Sequence, residues 1–423
     1  MTECNVQNRT IFCDDNLDVL RGINTACIDL IYLDPPFNKN KTFAAPIGSS
    51  AEGAEFSDIF REEDVKDEWL VAIKEDQPEL FHYLNGIKGV GNSYNFAYLA
   101  YMAIRLLECW RVMKKTASIY LHCDPTMSHY LKSLMDCIFG EHCFRNEILW
   151  CYSTASTPHI RQFPRCSDTI LYYSLGREWT FNKDKIRVPY KGGAPHGGNA
   201  WDDGEGLENW RVRKATEGRL PFNWWSDIFK PSAKEKTGYP TQKPLRLLRR
   251  IIKASTNEGD LVLDPFCGCA TTCVAAEQLS RRWIGIDVSI KAYELVKERL
   301  TKEAANPEDL FKYKNAIHLH TDPPQRSDVA VDYREKKFVY VIAHPSYPGE
   351  YKVGIAKNWK SRLNAYQTSD PDRQYTIKFK VETPHFRETE KHIHEVFPNK
   401  HEWVQGDLKA IVTEIENYTG EMT

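Results

Sequence analysis

Two short apolar runs, each stopped by an acid and a proline, restrict this chain more than any other feature of its sequence. Ile31-Tyr32-Leu33 runs into Asp34-Pro35-Pro36-Phe37, and Leu261-Val262-Leu263 runs into Asp264-Pro265-Phe266. An apolar run that prolines forbid to continue reads as a buried strand that ends at the acid. Open α/β sheets bind ligands outside the carboxyl ends of their strands, and Asp34 stands at such a tip. There a carboxylate, a proline-fixed carbonyl and an aromatic face can grip a flat ring bearing an amino group. An acid in an ordinary Pro-Pro turn is the plain alternative. The second run continues through Cys267-Gly268-Cys269-Ala270-Thr271-Thr272 into a helix over 274–279, then a strand over 283–286 that stops at Asp287. Small residues at a first turn and an acid about 20 residues later make a βαβ unit of the nucleoside-binding kind. With one glycine and an early acid, the turn suits an uncharged or cationic nucleoside better than a pyrophosphate. Cys267, Cys269 and Cys273 span a turn into a helix without a fourth ligand nearby, so packing is favoured over zinc.

The remaining pattern extends this α/β reading. Residues 13–20 carry an acidic turn, with Asp14 or Asp15 capping a helix. Residues 98–113 and 129–138 read as helices around a buried strand at 117–122, and the alternation argues for a parallel sheet covered by helices. His122 and Asp124 at that strand's tip read as a hydrogen-bonded core histidine and a helix cap. Residues 38–95 read as an acidic, turn-rich, mobile insertion with some helix around 69–73. A basic helix follows Pro240-Thr241-Gln242-Lys243-Pro244 at 245–254, and another helix spans 290–303. Residues 306–337 read as a linker containing a second Asp-Pro-Pro, which lacks both the apolar strand before it and an aromatic residue after it.

A chain of 423 residues has room for two or three domains. The formal charge of −2 neither demands nor excludes a polyanionic partner, so distribution matters more than the total. Between residues 151 and 253 there are 19 Lys+Arg against 10 Asp+Glu, interleaved with Tyr, Trp and Gly. Arg161, Arg165, Lys183, Lys185, Arg187, Lys191, Arg211, Arg213 and Lys214 belong to this stretch. Phosphate contacts combined with base readout require such a segment. No run of about 18 apolar residues occurs, and the polar start lacks the form of a signal peptide. Twelve cysteines without a disulfide-scaffold spacing point to a reducing, cytoplasmic compartment and no membrane.

After residue 337 the pattern is that of a small separate domain. Strands are expected at 338–343, 351–355 and 375–382. Helices are expected at 359–366, carrying Arg362, and at 386–396, carrying Glu390, His392 and His394. Glu402-Trp403 follow.

Six motifs, in order, resemble an S-adenosylmethionine-dependent DNA amino-methyltransferase of the β-type, permuted motif order. They are DNLDVL (15–20), YLDPPFN (32–38), SIYLHCDPTMSHYLK (118–132), YPTQKP (239–244), LDPFCGCATT (263–272) and IGIDVS (284–289). The resemblance implies an α/β fold: a mostly parallel Rossmann-like sheet with helices on both faces over 1–305. A target-recognition region would occupy 151–236. It implies S-adenosyl-L-methionine as cofactor, with Asp264, Phe266 and Gly268 lining its pocket and Asp287 on its ribose. Asp15 would face its adenine, and Thr241 and Lys243 would belong to the segment over its methionine end. Asp34, Pro35, Pro36 and Phe37 would form the catalytic motif, acting on a base flipped from double-stranded DNA. Aspartate at the head of that motif favours adenine N6; cytosine N4, more often served by serine, is the alternative. Cys267, Cys269 and Ala270 depart from the Ser or Gly commoner there, which alters turn packing more than chemistry.

Residues 338–423, beyond a linker at 306–337, resemble a GIY-YIG nuclease-like α+β domain through Val339-Tyr340-Val341, Tyr351-Lys352-Val353-Gly354, Arg362, Glu390 with His394, and Glu402-Trp403. The resemblance implies Tyr340 and Arg362 around a phosphate and Glu390 on a Mg²⁺ ion. Lys352 stands where the family tyrosine sits, which leaves an active nuclease and a DNA-binding relic both open. A nuclease would make the chain a bifunctional restriction-modification enzyme. A zinc site of His392, His394 and His401 with Glu390 ranks behind both. Action as a monomer or as a homodimer stays open.

Overall fold

Residues 3–153, 161, 163–190, 216–302, 313, 315–327, 337–356, 358–383, 386–400 and 403–421 are described by the computed structural model. Its strands in the first unit, Met1–Ser327, are β1 (Thr10–Cys13), β2 (Ile28–Leu33), β3 (Lys41–Ala44), β4 (Glu55–Asp58), β5 (Met113–Cys123), β6 (Phe144–Cys151), β7 (Ser167–Ser174), β8 (Trp224–Trp225), β9 (Leu261–Asp264), β10 (Arg282–Asp287) and β11 (His318–His320). Strands β3 and β4 form a hairpin of their own. The other nine form one sheet in the order β11-β1-β10-β9-β2-β5-β7-β6-β8. Every neighbouring pair is parallel except the two made by β7, which runs antiparallel between β5 and β6.

The apolar runs form strands because both of their faces are covered. Along β2, Ile31 and Leu33 join the core under the helices Ser93–Val112 and Ser128–Phe139. Leu30 and Tyr32, on the opposite face, join the core under Leu245–Ser255 and Thr271–Gln278. Each such side chain contributes about 1.5–3 kcal/mol by leaving water, so the strand register is strongly fixed. In the helix Leu245–Ser255, Leu247, Leu248, Ile251 and Ile252 are buried, and Arg250 donates to Asp227 at 3.0 Å.

Topology places the crevice. The chain leaves β2 toward β5 on one side, and leaves β9 toward β10 on the other. Strands β2 and β9 are nonetheless neighbours, with Ile31 opposite Leu263. Their carboxyl ends therefore flank the switch point of an open α/β sheet.

Several expectations need correction. The strand β7 lies inside the 151–236 stretch expected to be loop-rich, and its residues from Thr169 to Ser174 are buried. Tyr172 stacks on Tyr120 of β5 with ring centroids 4.3 Å apart, so β7 is a central strand of the sheet. Lys191, Arg211, Arg213 and Lys214 of that stretch lie outside the described residues. The 38–95 insertion is built rather than loose: beyond the hairpin it holds helices Asp67–Asp76 and Pro78–Gly89. Trp69, Ile73, Leu80 and Leu84 of these helices are buried. Within the expected linker, β11 pairs with β1 and extends the sheet edge through backbone bonds.

The second unit, Asp328–Thr423, has a five-stranded antiparallel sheet of β12 (Lys337–Ala343), β13 (Glu350–Ala356), β14 (Thr376–Thr383), β15 (Asn399–Lys400) and β16 (Trp403–Gln405). Their order is β14-β12-β13-β16-β15. Val339, Val341 and Val353 pack with Ile393 of helix Phe386–Val396 and with Ile411 and Ile415 of helix Leu408–Glu421. His401 and Glu402 lie outside the described residues.

Candidate active site

Six carboxylates collect along one edge of the sheet because each follows or opens a strand there. Asp15 follows β1, Asp287 ends β10, Asp264 ends β9, Asp34 follows β2 and Asp124 follows β5. Asp168 lies at the start of β7, which reaches the same edge because β7 runs the other way. They open onto one cavity of about 1020 Å³. Asp15, Asp34, Pro35, Pro36, Phe37, Thr241, Lys243, Asp264, Phe266, Gly268 and Asp287 all line it. All eleven residues singled out for the transfer site thus meet around one space, although they come from segments up to 272 positions apart (Asp15 to Asp287).

At one end, three short loops are tied together. Asp15 caps helix Asn16–Gly22 by accepting from the Leu17 amide at 2.8 Å. Arg105, 2% exposed, donates to both oxygens of Asp15 at 2.8 and 3.0 Å and to Asn16 Oδ1 at 2.5 Å. The Asn16 amide in turn donates to the Pro265 carbonyl at 2.8 Å, clasping the β1 loop to the β9 loop. Asp287 accepts from the Gly268 amide at 2.9 Å and from the Ser289 amide at 2.8 Å. Gly268 has φ +49°, and a Cβ there would press on the Tyr239 ring at 3.0–3.1 Å, so the position requires glycine. Cys267, Cys269 and Cys273 are buried packing residues, with two of the sulfurs about 3 Å from where a Gly285 Cβ would stand.

Burial drives Asp264 up to about 7, opposed by hydrogen bonds from Thr272 and the Phe266 amide and reinforced by the charges of Asp34 and Asp287. Asp287 is likewise raised by burial. With Asp14, Asp15, Asp264 and Asp287 on its walls, this end suits a ligand that is cationic and carries hydroxyl donors.

Around Asp34 the arrangement differs from expectation. Lys243, assigned from sequence to the cofactor segment, is only 7% exposed and donates to both oxygens of Asp34, at 2.8 and 2.7 Å. Its ammonium also lies 5.1 Å from the Phe37 ring centroid. Phe37 stacks on His122 with centroids 5.9 Å apart and planes at 22°. His122 is fully buried, as expected of a core histidine, and bridges Tyr32 OH at 2.8 Å and Asp168 Oδ2 at 3.1 Å. Tyr152 donates to the other Asp168 oxygen at 2.8 Å. Burial raises Asp168, but His122, Lys243 and Tyr152 outweigh it and the net shift is downward. Asp124 is not the expected helix cap, because helix Ser128–Phe139 has Met127 at its N-cap; it accepts from the Thr126 amide at 3.0 Å in the preceding turn and pairs with Lys39. Asp58 accepts from the Asn38 and Lys39 amides at 2.6 and 3.0 Å, holding the turn after Phe37.

Trp150, Tyr152, Asp168, Arg165 and Lys230 also line the cavity and were not singled out for it. Arg165 was named only within the basic stretch. Trp150, Tyr152 and Asp168 come from β6, β7 and the residues beside them, which pairing alone brings to β5.

In the second unit, Tyr340 OH meets Tyr366 OH at 3.1 Å and accepts from Arg362 Nε at 3.3 Å. The Lys352 ammonium lies 4.4 Å from the Tyr366 ring centroid. Gly354 makes room for the Tyr340 hydroxyl, which a Cβ would meet at 2.6 Å. Glu390 is half-buried on helix Phe386–Val396. Among the described residues no three His, Cys, Asp or Glu side chains group to hold a metal; the zinc alternative draws on His401, which lies outside them. His392 instead meets Glu414 at 2.8 Å, and His394 meets the Val353 carbonyl at 3.3 Å.

The fold is an open α/β sheet whose cavity lies at the switch point between β2 and β9. Residues 28–298 match the N6/N4 methyltransferase model of DNA methylases, and the chain belongs to that family. Residues 337–418 match the T5orf172 domain. The type II methyltransferase M.HpaI of Haemophilus parainfluenzae is 27% identical over 297 residues, covering 70% of this chain and 75% of that protein. The DNA adenine methyltransferase YhdJ of Escherichia coli (strain K12) is 27% identical over 312 residues, covering 72% and 87%. The solved M1.HpyAVI–SAM complex is 20% identical, covers 69% of this chain and 98% of its own, and has a TM-score of 0.39. Among the described residues no helix is long and apolar enough to cross a membrane.

Proposed function

We propose that this protein transfers a methyl group from S-adenosyl-L-methionine to the N6 amino group of an adenine extruded from double-stranded DNA. The observation that carries the reading is the shared cavity. Its volume of about 1020 Å³ lies at the upper end of the roughly 300–1,000 Å³ usual for one ligand, so a cofactor and an extruded base can occupy it together. The acidic end, with Asp264, Asp287 and Asp15, fits a cofactor that carries a sulfonium, an ammonium and ribose hydroxyls. That cofactor supplies the electrophilic methyl group; the chain's own residues position the acceptor.

An exocyclic base amine is a weak nucleophile because its lone pair is spread into the ring. Asp34 carboxylate and the Pro35 carbonyl accept its two N–H groups and aim the nitrogen, while Phe37, backed by His122, stacks on the ring. Positioning and fixed charge provide the acceleration, and Asp34 serves as acceptor. Lys41, Arg165, Lys230 and Lys236 at the cavity walls suit the phosphates that flank an extruded nucleotide. The aspartate heading Asp34-Pro35-Pro36-Phe37 and the relative whose name is DNA adenine methyltransferase both favour adenine over cytosine N4.

With tritiated cofactor and unmodified DNA, the full chain should incorporate label, and Asp34→Ala should reduce incorporation at least about a thousandfold. Calorimetric cofactor binding should stay within about threefold of wild type. Retained turnover in the variant would remove Asp34 from the mechanism.

The second unit is read as a GIY-YIG-like DNA-binding module, with Lys352, Arg362 and the Tyr340–Tyr366 pair receiving a phosphate. Lys352 in place of a tyrosine hydroxyl favours binding over cleavage. Supercoiled plasmid with Mg²⁺ should stay intact over a wide enzyme range. Nicking that Glu390→Ala abolishes would establish the restriction-modification alternative instead.

A further inference from the structure

We propose that Lys243 is a displaceable latch on Asp34, opened by a positively charged cofactor and shut by a neutral one. The proposal rests on the methyl-transfer reading given above. Lys243 is nearly buried, and its ammonium takes both Asp34 oxygens at 2.8 and 2.7 Å while also reaching the Thr241 carbonyl at 3.3 Å. The target amine needs an Asp34 oxygen, so ammonium and amine compete for the same acceptor.

Charge decides the competition. Asp34 lies beside other carboxylates: its charge and that of Asp287 add to the burial that raises Asp264. Withdrawing Lys243 with nothing in exchange would leave that group uncompensated, which a partly buried site resists. A cationic cofactor supplies the missing positive charge beside Asp34 and repels the ammonium, so Lys243 yields the carboxylate to the amine. Asp168, which lines the same cavity, already feels the Lys243 charge and offers the ammonium a second acceptor. Once the S–C bond has broken, its electron pair stays on a neutral sulfur and the methylated amine sheds its extra proton to solvent; the compensation is then gone, and Lys243 returns to Asp34 and displaces the methylated base. Lys243 in this scheme is a positioning residue that acts through Asp34. It ties base entry to the charged cofactor and product release to the spent one.

The test reads base extrusion rather than turnover. The recognition sequence is first mapped by sequencing methylated bases in DNA from cells expressing the protein. A duplex with 2-aminopurine at the target position is then titrated with the full chain plus either S-adenosylhomocysteine, which is neutral at sulfur, or sinefungin, which carries an ammonium in its place. For wild type, the extrusion equilibrium should be about tenfold larger with sinefungin, the scale of one partly screened charge contact. Lys243→Met should extrude equally with both analogues. Lys243→Arg, which can still bridge both oxygens, should keep the difference. Equal extrusion with both analogues in wild type overturns the latch, as does a difference that survives in Lys243→Met. Failure of the latch leaves methyl transfer intact, whereas failure of the functional reading removes transfer itself, so the two are distinguishable.

Discussion

Replacing Asp264 by asparagine should make the ligand-free protein more stable and its cofactor site worse. Asp264 is 3% exposed, and burial lifts its pKa from the ordinary 3.8 to about 7. In the unfolded chain the group loses its proton at the ordinary value. Between that value and about 7 the folded protein keeps a proton that the unfolded chain has shed, so this group's contribution to stability falls as pH rises through the window. Above the window the penalty is constant. Roughly 3 pH units at 1.36 kcal/mol each give about 4 kcal/mol, an upper bound once water and side chains relax around the anion. Asparagine cannot ionise, and its oxygen can still accept from the Phe266 amide, which lies 3.1 Å from Asp264 Oδ1. Urea unfolding of both proteins at pH 5 and pH 8 isolates the effect. The stability of Asp264→Asn relative to wild type should rise by about 3 kcal/mol between the two pH values, while cofactor affinity at pH 8 drops at least about tenfold. A relative stability unchanged with pH would refute the reasoning, because the carboxylate would then carry no burial penalty.

Two further outcomes follow from the geometry. Arg105→Met keeps the apolar stem but frees Asp15 and Asn16. It should cost about 1–3 kcal/mol in urea unfolding and weaken cofactor binding about tenfold by calorimetry, with DNA affinity by gel shift unchanged. Phe37→Ala removes the face backed by His122. It should lower 2-aminopurine extrusion by about ten- to a hundredfold, the worth of one base–aromatic stack, with cofactor affinity unaltered.

The parts of the site legible from sequence are those carried by local chain physics. An apolar run halted by proline is a strand end wherever it occurs, so β2, β9 and the positions of Asp34 and Asp264 could be read directly. The glycine turn at Gly268 and the acid of Asp287 followed from the βαβ spacing. Pairing across the chain could not be read this way. Lys243 and Asp34 are 209 positions apart, and nothing local in Thr-Gln-Lys-Pro marks its lysine as a carboxylate partner. Arg105 resembled any charge on a long helix; only tertiary packing made it a buried fork on Asp15. Strand β7 was hidden because a basic, turn-rich neighbourhood masked its short apolar run, and its antiparallel insertion beside β5 is decided by the sheet. Similarly, Trp69, Ile73, Leu80 and Leu84 give the 38–95 segment an apolar face that its acidic composition obscured. In the second unit β12, β13, β14 and the helix Phe386–Val396 followed from alternation and periodicity, whereas β15, β16, the helix Leu408–Glu421 and the Tyr340–Tyr366–Arg362 cluster required the fold.

The identity of the methylated atom tests the central claim most directly. DNA treated with the full chain and isotopically labelled S-adenosylmethionine should be digested to nucleosides and resolved by mass spectrometry. Label is predicted in N6-methyldeoxyadenosine and nowhere else, and Asp34→Ala should abolish it. Label in N4-methyldeoxycytidine would contradict the adenine assignment, and label unaffected by Asp34→Ala would contradict the site itself.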